Sequence, residues 1–272
     1  MSRIVIVGNG HLAWHLGGVL GPERARIVSR DPGSASEHRL VVSDYESLRH
    51  EGPEAVFLAV PDNHIATTSE RLTGYLPADI PVFHTSGATP AARISAFFDH
   101  RGVLWPIRSL RRGEVVTDWR DLPLVIYGST DTAAEYLRHL AGRLSDTVAW
   151  LDDGQRAQLH LAAVFSNNFV TALYEVAYQL CAQEDIPFEL LLPIIRNTAG
   201  QQDGRRPADR QTGAAARGDT ATMERHLSLL DRPAYRQLYR EISALILQYR
   251  LPQDDPDFRG DTDNNLQDQR IP

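Results

Sequence analysis

Ile4-Val5-Ile6-Val7-Gly8-Asn9-Gly10-His11-Leu12-Ala13 decides the fold. Four consecutive branched apolar residues predict a strand buried on both faces, the pattern of a parallel sheet. Gly8, Gly10 and Ala13 follow at G-x-G-x-x-G/A spacing. In that pattern the first glycine permits a tight turn, and the second lets a pyrophosphate approach the backbone. The small third residue lets the next helix pack close to the strand. A helix over 12–20 would aim its free N–H groups and positive dipole end at the phosphates. The bland alternative is a tight strand-to-helix turn that binds nothing.

A second strand is expected over 25–30. About 20 residues after the first glycine, a site selective for NAD places an acid against the ribose 2′-hydroxyl. Ser29 and Arg30 stand there instead, and Asp31 comes one place later. A guanidinium forks onto a 2′-phosphate and a serine donates to it, so the pair favours NADP(H). NAD(H) stays open, with Asp31 as the alternative ribose ligand.

The length of 272 residues suits one large or two ordinary domains. A net charge of −7 without a basic stripe argues against nucleic acid as a partner. No apolar run is long enough to cross a bilayer, and the chain enters a strand without a signal peptide, so a cytoplasmic protein is expected. The single cysteine, Cys181, cannot form an internal disulfide or a zinc cluster, and no metal site is expected. All 28 basic residues are arginine, which removes Schiff-base chemistry and any lysine acid or base.

Strands and helices alternate up to residue 151. Strands are expected near 40–42, 55–60, 81–84, 102–104, 122–127 and 147–151, with helices over 62–72, 91–98 and 132–144. This is the rhythm of an α/β, Rossmann-like, doubly wound and mostly parallel sheet. From Asp152-Asp153, which can cap a helix, the pattern becomes all-α: a long helix over 154–184, another over 187–198, a polar loop over 205–219, and helices over 222–230 and 233–249. The expected organisation is a dinucleotide-binding domain at 1–151, a helical substrate and dimerisation domain at 152–252, and a disordered tail at 253–272.

Ligands of doubly wound sheets sit beyond the carboxyl ends of the strands. Val60 and Pro61 are therefore expected beside the ribose and nicotinamide, and His84 and Ser86 are candidates to bond the nicotinamide amide or a substrate carbonyl. At 100° per residue, His160, Asn167, Thr171 and Tyr174 fall within about 40° of one line, with Asn168 roughly 80° away. The surrounding segment is apolar nearly all round, which predicts a buried helix whose polar stripe faces a ligand cleft, a helix seam or a dimer interface. In the later loop, Arg217 can clamp an anionic substrate group and Asp219 can orient it, while Thr222 can cap the next helix. His226 stands close by.

The opening glycine turn, His84-Thr85-Ser86-Gly87, the run from Leu159 to Phe169 containing Ser166-Asn167-Asn168, and Thr212-Gly213 through Arg217-Gly218-Asp219 resemble an uncharacterised bacterial family. That family joins a Rossmann-like NADP oxidoreductase domain to a helical domain of unknown function. It is similar in architecture to phosphogluconate dehydrogenase, hydroxyisobutyrate dehydrogenase, ketopantoate reductase and pyrroline carboxylate reductase. The resemblance implies NADPH, an interdomain cleft, and a homodimer built through helical domains of the phosphogluconate dehydrogenase type. One departure is clear. Hydroxyacid dehydrogenases and ketopantoate reductase use a Lys four residues before an Asn, and Ala163 and Val164 stand there instead.

The expected activity is hydride transfer between nicotinamide and a small carbonyl or imine. His160 is the candidate general acid, since imidazole suits proton transfer near neutrality, and Asn167 would orient the substrate. Asn168, Thr171, Arg217 and Asp219 are the candidate substrate contacts. Gly8, Asn9, Gly10, His11, Leu12, Ala13, Ser29, Arg30, Val60, Pro61, His84 and Ser86 are the candidate cofactor contacts. A nucleotide-binding sensor without turnover and a deazaflavin-linked oxidoreductase are the alternatives.

Overall fold

The computed structural model describes residues 4–30, 42–50, 52–111 and 118–250. Asp31, Leu40, Val41 and the expected tail at 253–272 lie outside the described residues. The chain divides into two compact units, one running to Ser166 and one starting at Asn167. The first turns of the long helix therefore belong to the unit that carries the sheet.

Eight strands form one sheet in the order β3-β2-β1-β4-β5-β6-β7-β8. These are β1 (Ile4–Val7), β2 (Ala25–Val28), β3 (Val42–Ser43), β4 (Ala55–Leu58), β5 (Val82–His84), β6 (Arg101–Pro106), β7 (Leu124–Gly128) and β8 (Val148–Trp150). Neighbours are parallel except β6 and β7, which pair antiparallel with Leu104 opposite Ile126. The order reverses direction at β1, which makes the crevice above β1 and β4 the natural ligand position.

Alternation along the central strands builds two cores. Ile4 and Ile6 face one side with Ile27, Phe57, Phe83 and Ile126, under α1 (His11–Leu20) and α3 (Asp131–Leu144). Val5 and Val7 face the other with Val56, Leu58 and Val82, under α2 (Ile65–Leu72). Period-2 side chains on a doubly covered sheet require this division. Ala13 is fully buried in the first core, where its small side chain lets α1 lie close to β1.

Residues 91–98 do not form the expected helix. Only Ala91–Arg93 makes a 3-10 turn, and the backbone is extended at Ile94. Ser95 is held instead by Ser69, whose Oγ accepts its N–H at 2.9 Å, and by Glu70, which accepts its hydroxyl at 2.8 Å. Those side-chain bonds replace helical ones, and Ile94 and Phe98 enter the second core.

Asp152 caps α4 (Asp153–Ala163) in a capping box with Gln155. The expected continuous helix is then interrupted by a π-helical segment, Val164–Phe169, before α5 (Val170–Gln183). Within one chain this helix is not covered all round. No residue of α5 is buried, and Leu161, Phe165, Phe169 and Tyr178 are all exposed.

In the second unit, α6 (Leu192–Gly200) follows a 3-10 turn at Phe188–Leu191. The expected loop over 205–219 contains another such turn, Pro207–Arg210, and the short helix α7 (Ala214–Arg217). Then come α8 (Thr220–Ser228) and α9 (Pro233–Arg250). Asp219 rather than Thr222 caps α8, accepting the N–H of Thr222 at 3.0 Å.

Candidate functional site

A cavity of about 400 Å³ opens over the carboxyl ends of β1, β2 and β4. The turn after β1 supplies Gly8, Asn9 and Gly10, the end of β2 supplies Ser29 and Arg30, and the turn after β4 supplies Ala59, Val60 and Pro61. Gly8 has φ +126°, and a Cβ there would lie 2.3 Å from the Ala59 carbonyl oxygen. Only glycine permits that crossing of the two turns. Gly10 has extended backbone at the N-cap of α1, no side chain caps the helix, and a Cβ on Gly10 would meet nothing within 4 Å. The helix end therefore presents its first-turn amides to open space, the arrangement that takes a phosphate.

His11 is exposed and Leu12 half-buried at the start of α1, and neither lines the cavity. Ala13 lies beneath it in the core. The remaining wall was not anticipated. It consists of Tyr45 and a row of His64, Thr67, Thr68 and Arg71. That row has i, i+3, i+4, i+7 spacing, one face of a helix, while Ile65 and Leu72 go into the core. The helical spacing after Pro61 is the signal that could have found it. Arg71 lies over the ring of Tyr45, with its guanidinium carbon 4.4 Å from the ring centroid. Burial pushes the Tyr45 phenol up, opposed by Arg71 and then Arg30.

The loop after β5 is tied to the turn after β4. The Ser86 hydroxyl donates to Asp62 at 2.6 Å and accepts the N–H groups of Ala88 and Thr89 at 3.2 and 3.0 Å. His84 is fully buried. Its Nδ1 accepts the Ser86 N–H at 3.2 Å, which leaves Nε2 to donate to the Pro90 carbonyl at 3.3 Å. Burial lowers its pKa to about 4, so the ring is neutral at physiological pH. His84 and Ser86 thus shape the loop, and neither lines the cavity.

Helix α4 supports the same loop. Arg156, fully buried, donates to the Thr89 carbonyl and to Asp153, both at 2.6 Å, and Asp153 accepts the N–H of Ala91 at 3.2 Å. One turn further on, His160 packs beside Trp105, with ring centroids 5.5 Å apart. It also covers Gly87, where a Cβ would lie 2.6 Å from His160 Cδ2. Contacts thus run from Pro61 and Asp62 at the cavity through Ser86 and Gly87 to a half-exposed imidazole.

The other candidates belong to the second unit. Asn167 and Asn168 are exposed within the π-helical segment, and the Thr171 hydroxyl donates to the Asn167 carbonyl at 2.8 Å. The π-helical segment Val164–Phe169 departs from the 100° per residue assumed for the stripe. Tyr174 is half-buried. Arg217 is exposed at the end of α7, and hydrogen bonds from the Thr222 side chain and then its backbone N–H hold Asp219 below the usual carboxylate range. His226 Nδ1 lies 2.8 Å from the Tyr239 hydroxyl.

Residues 122–246 match a domain of unknown function, DUF2520. A Bacteroides fragilis protein assigned as an NADP oxidoreductase is 29% identical, with a TM-score of 0.81 over 91% of this chain and 98% of that one. A Thermotoga maritima protein, 22% identical, gives 0.69 over 90% and 97%. A reductive aminase from Aspergillus terreus, solved with NADPH and ethyl levulinate, is 15% identical and gives 0.61 over 91% and 93%. The last two similarities are of fold. No curated protein matches the chain. The matched stretch runs from just before β7 into α9.

Proposed function

We propose that the chain is an NADP(H)-dependent oxidoreductase that passes a hydride between nicotinamide and a small carbonyl or imine, in a cleft between its two units. The cavity beyond β1, β2 and β4 carries this reading. A glycine turn, an uncapped helix N-terminus and Arg30 occupy the positions a dinucleotide's pyrophosphate and 2′-phosphate need. The similarity to the Bacteroides fragilis NADP oxidoreductase points the same way.

A nicotinamide nucleotide held by that cavity would supply the hydride to the substrate carbon, and Gly87 and His160 stand at the end of the contacts that lead from Pro61 and Asp62. A carbonyl oxygen then takes its proton from His160. An iminium arrives protonated and needs only hydride and orientation. Asn167, Asn168, Thr171, Arg217 and Asp219 are the proposed substrate contacts.

The proposed assembly is a homodimer through the helical unit. Among its described residues only Ala215, Ala216, Leu230 and Ser243 are buried, too little for a free-standing helical domain. No described helix is long and apolar enough to cross a membrane.

The chain has no lysine, and that favours a second reading, nucleotide binding without turnover. Thermal unfolding with NADPH, NADP, NADH and NAD tests the cofactor. A ligand at about 100 times its Kd stabilises by about 2.7 kcal/mol. A midpoint shift with the phosphorylated pair supports the proposal, and no shift with any of the four overturns it. NADPH oxidation with carbonyl and imine panels then separates enzyme from sensor. In an enzyme, His160→Gln removes turnover and keeps the NADPH shift.

A further inference from the structure

We propose that Arg71 is a second specificity residue for the nucleotide, meeting the 2′-phosphate together with Arg30 in the cavity that both line. The assignment rests on the nucleotide reading above and adds a residue from α2, outside the glycine turn and the β2 end.

Arg71 and Arg30 line the same cavity and both bear on the buried phenol of Tyr45. Several described arginines are answered by a carboxylate. Arg49 bonds Glu46, Arg120 bonds Asp146, Arg156 bonds Asp153, and Arg210 bonds Asp203. The guanidinium of Arg71 has no hydrogen-bond or ion-pair partner among the described residues. It lies over the ring of Tyr45, 4.4 Å from the centroid, and Tyr45 is 6% exposed within the second core. A guanidinium stacked on an immobile ring keeps its N–H edge pointing outward and loses little entropy on binding an anion. Thr68, on the preceding turn of α2, adds a hydroxyl donor to the same cavity, while the Thr67 hydroxyl beside it donates to the His64 carbonyl at 3.2 Å.

Two cations without carboxylate partners among the described residues, with the Thr68 hydroxyl lining the same cavity, suit a phosphate dianion. An unphosphorylated ribose offers hydroxyls and no charge to answer them. The expected consequence is that Arg71 acts on NADP(H) and leaves NAD(H) alone.

The test is equilibrium titration of the full chain and its Arg71→Ala and Arg71→Lys variants with NADPH, NADH, 2′,5′-ADP and 5′-AMP. Ligand-free unfolding confirms that each variant folds. Loss of one charge-assisted bond weakens NADPH and 2′,5′-ADP by roughly tenfold or more. NADH and 5′-AMP stay within about twofold, and the lysine variant falls between. Equal weakening of all four ligands would mean that Arg71 serves the adenine and would overturn the proposal, as would no change in any. If the unaltered chain binds none of the four, the nucleotide reading itself falls. If it binds NADPH and Arg71→Ala does so equally well, only the Arg71 assignment falls.

Discussion

Gly87 leaves no room for a side chain beneath His160. A Cβ at that position lies 2.6 Å from the imidazole Cδ2 and 2.6 Å from Cε2 of Trp105. The loop after β5 and the fourth helix therefore meet backbone against ring. Helix α4 is fixed in that place by the buried Arg156, whose guanidinium reaches the Thr89 carbonyl.

Gly87→Ala pushes the imidazole and the indole aside. Overpacking of this kind costs about 1–3 kcal/mol of stability. Displacing an acid by about 1 Å can lower a rate by around 100-fold. In the proposed oxidoreductase, Gly87→Ala is expected to lower kcat strongly and to leave NADPH affinity within a few-fold. A weakened affinity with unchanged kcat would show that His160 does not serve the reaction.

Gly8 and Gly10 separate folding from binding. Gly8→Ala places a methyl 2.3 Å from a carbonyl oxygen on a backbone at φ +126°, so loss of several kcal/mol of stability is expected in denaturant unfolding. Gly10 has φ −83° and open space where a Cβ would stand. Gly10→Ala should unfold at nearly the same denaturant concentration as the unaltered chain and bind NADPH more weakly, because its methyl stands where a pyrophosphate would lie.

The glycine turn and the alternation of strands and helices were legible because each depends on local chemistry. Four buried branched residues and two glycines at fixed spacing have few other uses. Arg71 and Tyr45 escaped because their meeting depends on tertiary packing: a 3-10 turn at Tyr45–His50 and the outward face of α2 come together only across the sheet end. The polar stripe of the long helix rested on a constant 100° per residue. The π-helical segment at Val164–Phe169, which changes that phase, has no signature in the apolar pattern around it. His84 looked like a cofactor contact from its place at a strand end. Its two ring nitrogens serve the Ser86 amide and the Pro90 carbonyl, bonds that sequence cannot show.

The buried neutral His84 makes stability depend on acid. Its folded pKa of about 4 lies below the unfolded value of 6.5, so in that interval the unfolded state binds a proton that the folded state refuses. Stability is fully present above pH 6.5 and falls as pH drops towards 4, by an amount on the order of 3 kcal/mol from this group. Urea midpoints measured between pH 7 and 4 in the unaltered chain and in His84→Gln check this. The variant is expected to be less stable at neutral pH and to show a shallower decline. Parallel profiles would mean that other groups set the acid limit.

The helical unit is expected to depend on a second copy for its stability. Phe165 is 59% exposed, Ile194 61% and Leu190 69%, whereas α5, α6 and α8 contain no buried residue. Covering such side chains stabilises by roughly 1.5–3 kcal/mol each, and a stable dimer buries about 800 Å² or more per partner. Sedimentation equilibrium should therefore give twice the chain mass at micromolar concentration, with an unfolding midpoint that rises with protein concentration. Replacing Phe165 and Phe169 by aspartate places charges within the apolar face. That variant should sediment as a monomer and lose the concentration dependence, and its helical signal should melt at lower temperature than the sheet. A monomeric unaltered chain with a concentration-independent midpoint would show that the exposed apolar face has some other occupant.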